Sequence, residues 1–156
     1  MPRTAGFFAG FAALVALSLA RNSETWLDLV PCTLCLWQRW PYLAIMLVAG
    51  FALFRIDLAG RVLWLAVALF LANAVLASFH AGVEWGFWPN ILTACVPSGP
   101  PAGSVDDLLR AMPMRAVPCE EAAIRFAGLS MAGWNAIYAL ACGVILALML
   151  RKEPRR

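Results

Sequence analysis

Charge is scarce in this chain. Of its 156 residues only 13% are Asp, Glu, Lys or Arg and 63% are hydrophobic, whereas ordinary soluble domains are about 25% charged. Too little polar sequence remains to cover a water-facing surface, which excludes an ordinary globular domain. Twelve Lys and Arg against nine Asp and Glu leave a net charge of +3, too slight a basic excess for a nucleic-acid partner. A single histidine, His80, restricts metal chemistry, and no Gly-x-Gly-x-x-Gly is present to hold a flavin or nicotinamide. The sequence also lacks an internal repeat and any stretch polar enough to form a separate soluble domain, so it reads as one membrane domain.

Long apolar runs are abundant. A bilayer core takes about 20 mostly apolar residues per helix, and four runs approach that length: 5–20, 34–54, 62–79 and 129–150. They are rich in Leu, Ala, Val and Phe without alternation, which predicts helices rather than the strands of a barrel. The expected fold is an all-α four-helix bundle, with connections 21–33 and 80–128 on one face. Arg3, Arg55, Arg61, Arg151, Lys152, Arg155 and Arg156 fall on the opposite face, opposed only by Asp57 and Glu153. The face with fewer basic residues carries Arg21, Arg39, Arg110, Arg115 and Arg125 against seven acids. Basic residues mark the cytoplasmic side, so both termini are expected there. A signal-peptide reading, with cleavage after Ser18-Leu19-Ala20, has one basic residue ahead of it and would leave the downstream topology unchanged.

On that map Cys32, Cys35, Cys95 and Cys119 fall on the outer, oxidising face, while Cys142 lies inside the fourth run and reads as a small packing residue. For Cys95 and Cys119 alone a structural disulfide would suffice. Cys32-Thr33-Leu34-Cys35 is different. A Cys-x-x-Cys closes a very small ring that constrains little of the unfolded chain, but it keeps two thiols close enough to exchange. Zinc would need Cys95 and Cys119 as further ligands, at a spacing unlike a zinc knuckle and in an oxidising compartment. Leu36 after the pair, where a histidine would be needed, excludes c-type haem attachment.

Arg39 lies four residues after Cys35, one turn deeper on the same helix face at the hydrocarbon boundary, where an ionisable group is costly. A guanidinium there would stabilise a Cys35 thiolate, helped by the positive end of the helix dipole, or donate hydrogen bonds to an electron-accepting carbonyl. The alternative is that it snorkels to the headgroups. Pro41 just beyond predicts an irregular helix at the pair. His80, at the outer end of the third run, offers an imidazole able to exchange protons near neutral pH, or a helix-end cap. Glu84, one turn on, has His80 and Arg39 as alternative partners.

Pro31-Cys32-Thr33-Leu34-Cys35-Leu36-Trp37-Gln38-Arg39, His80-Ala81-Gly82-Val83-Glu84, the cysteines at 95 and 119, and Gly128-Leu129-Ser130-Met131-Ala132-Gly133-Trp134 together resemble the bacterial disulfide bond formation protein B (DsbB) family, over nearly the whole chain. The resemblance implies an inner-membrane enzyme that re-oxidises the periplasmic dithiol oxidase DsbA and passes the electrons to ubiquinone or menaquinone. It further implies that Cys95 forms the mixed disulfide with the partner and Cys119 resolves it. Cys32 would exchange with that pair, and Cys35 would be the thiolate meeting the quinone, with Arg39 and His80 beside it. The energetics agree, because DsbA at about −120 mV needs an acceptor at least as oxidising, which cysteine pairs alone do not provide. Prolines and glycines between 86 and 118 would let Cys95 and Cys119 travel. One short helix is expected at Ser104–Met112, its Val105, Leu108, Leu109 and Met112 lying on the membrane surface or on Trp85, Phe87 and Trp88. Two other readings compete: a quinone reductase of the vitamin K epoxide reductase type, in which the Cys-x-x-Cys lies late in the bundle, and a membrane scaffold with structural outer disulfides.

Overall fold

A computed structural model of the protein describes residues 2–27, 29–89 and 119–152. Helix α1 spans Pro2–Leu27, α2 Thr33–Trp37, α3 Arg39–Phe54, α4 Ile56–Glu84 and α5 Met131–Arg151. A two-residue hairpin, β1 (Arg125–Phe126) with β2 (Leu129–Ser130), precedes α5 and pairs Arg125 with Ser130. Four segments, Arg3–Leu27, Thr33–Phe54, Ile56–Glu84 and Met131–Arg151, are long and apolar enough to cross a bilayer. The molecule is an all-α multi-pass membrane protein.

The bundle is built on small residues. Ala5, Ala9 and Ala13 recur at four-residue spacing on α1 and pack in one buried cluster with Ala49 and Ala52 of α3 and Ala59, Leu63 and Ala66 of α4. Large apolar side chains point outward instead, among them Phe7, Phe11, Leu47, Phe51, Leu65 and Val75. Lipid is as apolar as leucine, so segregating hydrophobic residues inward gains little; small side chains let the backbones approach and gain dispersion contact. A Cβ added at Gly143 would stand 3.2 Å from Phe70 Cβ and from Leu71 Cδ2. The α4–α5 pair accordingly makes the most extensive contact in the bundle.

The helices are longer than their uncharged runs. α1 continues beyond Ala20 to Leu27, so much of the connection expected at 21–33 is helical, and α4 begins at Ile56 and ends at Glu84. His80 to Glu84 therefore belong to a helix rather than to the 80–128 connection. The flanking charges are tolerated at the rims because several are paired: Arg21 with Glu24 at 3.2 Å and Arg55 with Asp57 at 3.1 Å. The run at 34–54 is divided at Gln38, because Pro41 has no N–H to return to the Trp37 carbonyl and the ladder stops there. α5 begins at Met131, with the Ser130 hydroxyl accepting from Gly133 N at 3.2 Å, behind a hairpin that an apolar-run reading passes over. At the far end a single residue, Arg55, separates α3 from α4, its N–H donating to Phe51 O at 2.8 Å.

Every tryptophan except Trp64 lies at the end of the bundle that carries Cys32 and Cys35. Trp26 and Trp40 are strongly exposed there, as in an interfacial aromatic belt. Trp88 folds back instead, stacking on Phe79 with ring centroids 6.0 Å apart and donating Nε1–H to the Phe79 carbonyl at 3.0 Å. Its indole occupies the space where a Cβ on Gly82 would stand. The expected helix at Ser104–Met112 lies outside the described residues.

Candidate functional site

The redox pair is held by the start of a helix. Cys32 is the N-cap of α2 in extended conformation, and its sulfur accepts from Cys35 N at 3.2 Å. That bond satisfies one of the orphan donors of the helix N-terminus and turns Cys35 back toward its partner. The two sulfurs stand 2.6 Å apart. The neighbouring Cys35 sulfur and, next, burial push the Cys32 thiol up from its ordinary value.

Cys119 is fully buried and packs in one cluster with Cys32 and Leu34, against which Cys35, Leu76 and Phe79 also lie. It is disulfide-bonded. Thus a cysteine remote in sequence is brought onto the Cys-x-x-Cys; Cys95 lies outside the described residues. Cys142 is buried among the small residues of the bundle.

His80, 2% exposed, reaches over the pair from α4. Its Nε2 is 3.5 Å from Cys32 Sγ and 3.7 Å from Glu84 Oε1, and the ring also donates to the Cys119 backbone carbonyl. On the other side of the ring, Gln38 Nε2 lies 2.8 Å from His80 Nδ1. Glu84 thus takes His80, not Arg39, of its two candidate partners. Arg39 pairs with Glu24 at the end of α1. That partner was invisible to a reading that ended the first span at Ala20.

Gln38, Tyr42 and Asn135 are the functional candidates that apolar-run analysis missed. Asn135 Nδ2 donates to Gln38 Oε1 at 2.7 Å, and the Tyr42 hydroxyl donates to Asn135 Oδ1 at 2.6 Å. The available signal was an uncharged polar side chain inside a hydrophobic span, which is costly unless partnered and so marks a designed contact.

These residues line a cavity of about 740 Å³, within the size range of small-molecule sites, about 300–1,000 Å³. Leu17, Ala20, Leu27, Val30 and Met131 form its apolar walls; Cys32, Cys35, Gln38, Arg39, Tyr42, His80 and Asn135 supply the polar edge. Arg39 Nε is buried without a hydrogen-bond partner. Ligand atoms of Cys32, Cys35 and His80 lie within 4.8 Å of one another. Two thiolates on a tetrahedral zinc stand about 3.8 Å apart, given Zn–S bonds near 2.3 Å, so the sulfurs here, at 2.6 Å, are not spaced for a zinc ion.

A family model described as disulfide bond formation protein DsbB matches residues 2–149 of the chain. An uncharacterized protein of Rickettsia prowazekii (strain Madrid E), RP370, is 27% identical over 142 residues, covering 88% of this chain and 81% of the relative. No solved structure matches.

Proposed function

The chain belongs to the disulfide bond formation protein DsbB family, and from that premise we propose that it is a thiol oxidase of the bacterial inner membrane which re-oxidises a periplasmic DsbA-like protein and passes the electrons to a membrane quinone. Family membership makes it an oxidoreductase of disulfide bond formation. The observation that carries the finer reading is the burial of disulfide-bonded Cys119 against Cys32, on the wall of a cavity that opens beside Cys35 and Arg39.

We assign the roles that the family resemblance implies. The partner's thiolate attacks the Cys95–Cys119 disulfide; one partner–Cys95 bond forms as the Cys95–Cys119 bond breaks, and the electron pair leaves on Cys119. Cys119 then attacks Cys32, breaking a Cys32–Cys35 disulfide and leaving the pair's electrons on the Cys35 sulfur. The partner's second thiolate attacks the partner–Cys95 bond, releasing oxidised partner and leaving an electron pair on Cys95, and Cys95 attacks Cys119 so that Cys95–Cys119 re-forms and Cys32 is freed. Arg39 supplies positive charge near the Cys35 sulfur and, at the partnerless Nε, a hydrogen-bond donor for a quinone carbonyl. The apolar walls suit a prenylated ring. When bound, the quinone supplies the two-electron sink that cysteines lack. Glu24 orients Arg39, and the Trp-rich rim faces the periplasm.

Two measurements test this. Purified protein mixed with quinone is expected to develop a visible absorption band that is absent in Cys35→Ala. Oxidation of a reduced DsbA-like protein is expected to require both quinone and Cys35. Normal turnover by Cys35→Ser would refute the reading, and absence of turnover in the wild type would leave a scaffold with structural disulfides.

A further inference from the structure

Behind Cys35, five side chains are joined end to end. Tyr42 OH lies 2.6 Å from Asn135 Oδ1, Asn135 Nδ2 2.7 Å from Gln38 Oε1, and Gln38 Nε2 2.8 Å from His80 Nδ1. His80 Nε2 lies 3.5 Å from Cys32 Sγ, which is 2.6 Å from Cys35 Sγ. Oxygen and nitrogen of an amide have nearly the same shape, so the direction of such a chain needs a chemical argument. The tyrosine provides it: set against Asn135 Oδ1, an oxygen that only accepts, its hydroxyl is the donor.

The rest follows link by link. Asn135 must turn Oδ1 to the tyrosine and Nδ2 to Gln38, and Gln38 then accepts on Oε1 and donates Nε2–H to His80 Nδ1. A ring nitrogen that accepts holds no proton in neutral imidazole. The proton is therefore on Nε2, which lies 3.5 Å from Cys32 Sγ and 3.7 Å from Glu84 Oε1. We infer that Tyr42, Asn135 and Gln38 are positioning residues forming a one-way donor chain, which fixes His80 as the Nε2–H tautomer and turns that N–H toward the Cys32 sulfur. Each bond in such a chain polarises the next, so the whole chain favours negative charge on Cys32 when thiol–disulfide exchange leaves it there. This chemical consequence rests on the proposed exchange at Cys32; the bond order does not.

His80 is the single histidine of the chain, so 15N-labelling histidine in the full-length reduced protein in detergent gives the NMR spectrum of one ring. The nitrogen shifts and couplings report which atom carries the proton. The wild type is expected to hold it on Nε2. Gln38→Glu, whose carboxylate only accepts, is expected to move it to Nδ1, and Tyr42→Phe, which removes the group that sets the direction, to give a mixture. Alkylation of Cys32 by iodoacetamide should slow about tenfold in Gln38→Glu, the worth of one hydrogen bond to a charged group. A proton on Nδ1 in the wild type overturns the inference whether or not the variants fold, and so does an unmoved proton in folded Gln38→Glu. Loss of the quinone-dependent activity reading, with the Nε2–H tautomer intact, would refute the proposed function and leave the chain standing.

Discussion

The two ends of this bundle are built from different chemistry. At the far end, α1, α3, α4 and α5 meet through alanines, Leu63, Leu146 and Leu150 in a close-packed cluster, and polar links are few: Tyr138 donates to the Ala12 carbonyl at 2.8 Å near its middle. At the cysteine end the second span is broken at Gln38, the helices part around a cavity of about 740 Å³, and buried polar groups bridge α1, α3, α4 and α5. Both ends come from one membrane, so the bilayer does not account for the contrast. The close-packed end holds the helices together by contact alone, which frees the other end to keep an enclosed space and to place polar atoms in hydrocarbon at positions that chemistry rather than packing selects.

If that division holds, substitutions at the two ends should separate activity from stability. The largest effect is expected from Cys35→Ser: turnover with quinone lost altogether, with thermal stability in detergent close to wild type. A stable protein with residual turnover would erase the distinction. Next, Leu63→Ala at the far end should cost about 2–4 kcal/mol of stability, since a fully buried leucine there leaves a cavity, while activity per folded molecule stays unchanged; a lowered melting temperature beside an unchanged kcat checks it. Arg39→Leu should then raise the KM for quinone by about 10- to 100-fold, the range for hydrogen bonds to charged groups. It also leaves Glu24 without Arg39, so stability should fall as well, a sign that at this end binding and structure share residues. The smallest is Tyr138→Phe, which removes one hydrogen bond to Ala12 and should lower stability by about 1 kcal/mol.

The same contrast explains what could be read from the residues alone. The far end was legible because its only requirement is apolarity over a bilayer's thickness, and that is a property of single runs. Cys32, Cys35, Arg39 and His80 were legible because their side chains are chemically conspicuous. Helix ends lie beyond the uncharged runs: Arg21 and Glu24 ended the first run on paper, yet they bridge each other within α1. Gln38, Tyr42 and Asn135 failed for another reason. Each stands out only as a polar side chain in an apolar span, and Gln38, at the break between α2 and α3, meets Asn135 of α5, a pairing that no local pattern encodes. The packing of Cys119 on Cys32 is long-range in the same sense.

The junction at Arg55 has a mechanical consequence. With one residue between them, α3 and α4 are hinged like the two arms of tweezers whose joint lies a full bundle length from Cys35. Sliding of one arm along the other is limited at that end to what the one residue allows. A rotation of one degree at the joint displaces the far end of the sixteen-residue α3, roughly 24 Å long, by only about 0.4 Å, so the separation of the two helices at the Cys35 end is set by the contacts that bridge it there, Gln38 to His80 among them.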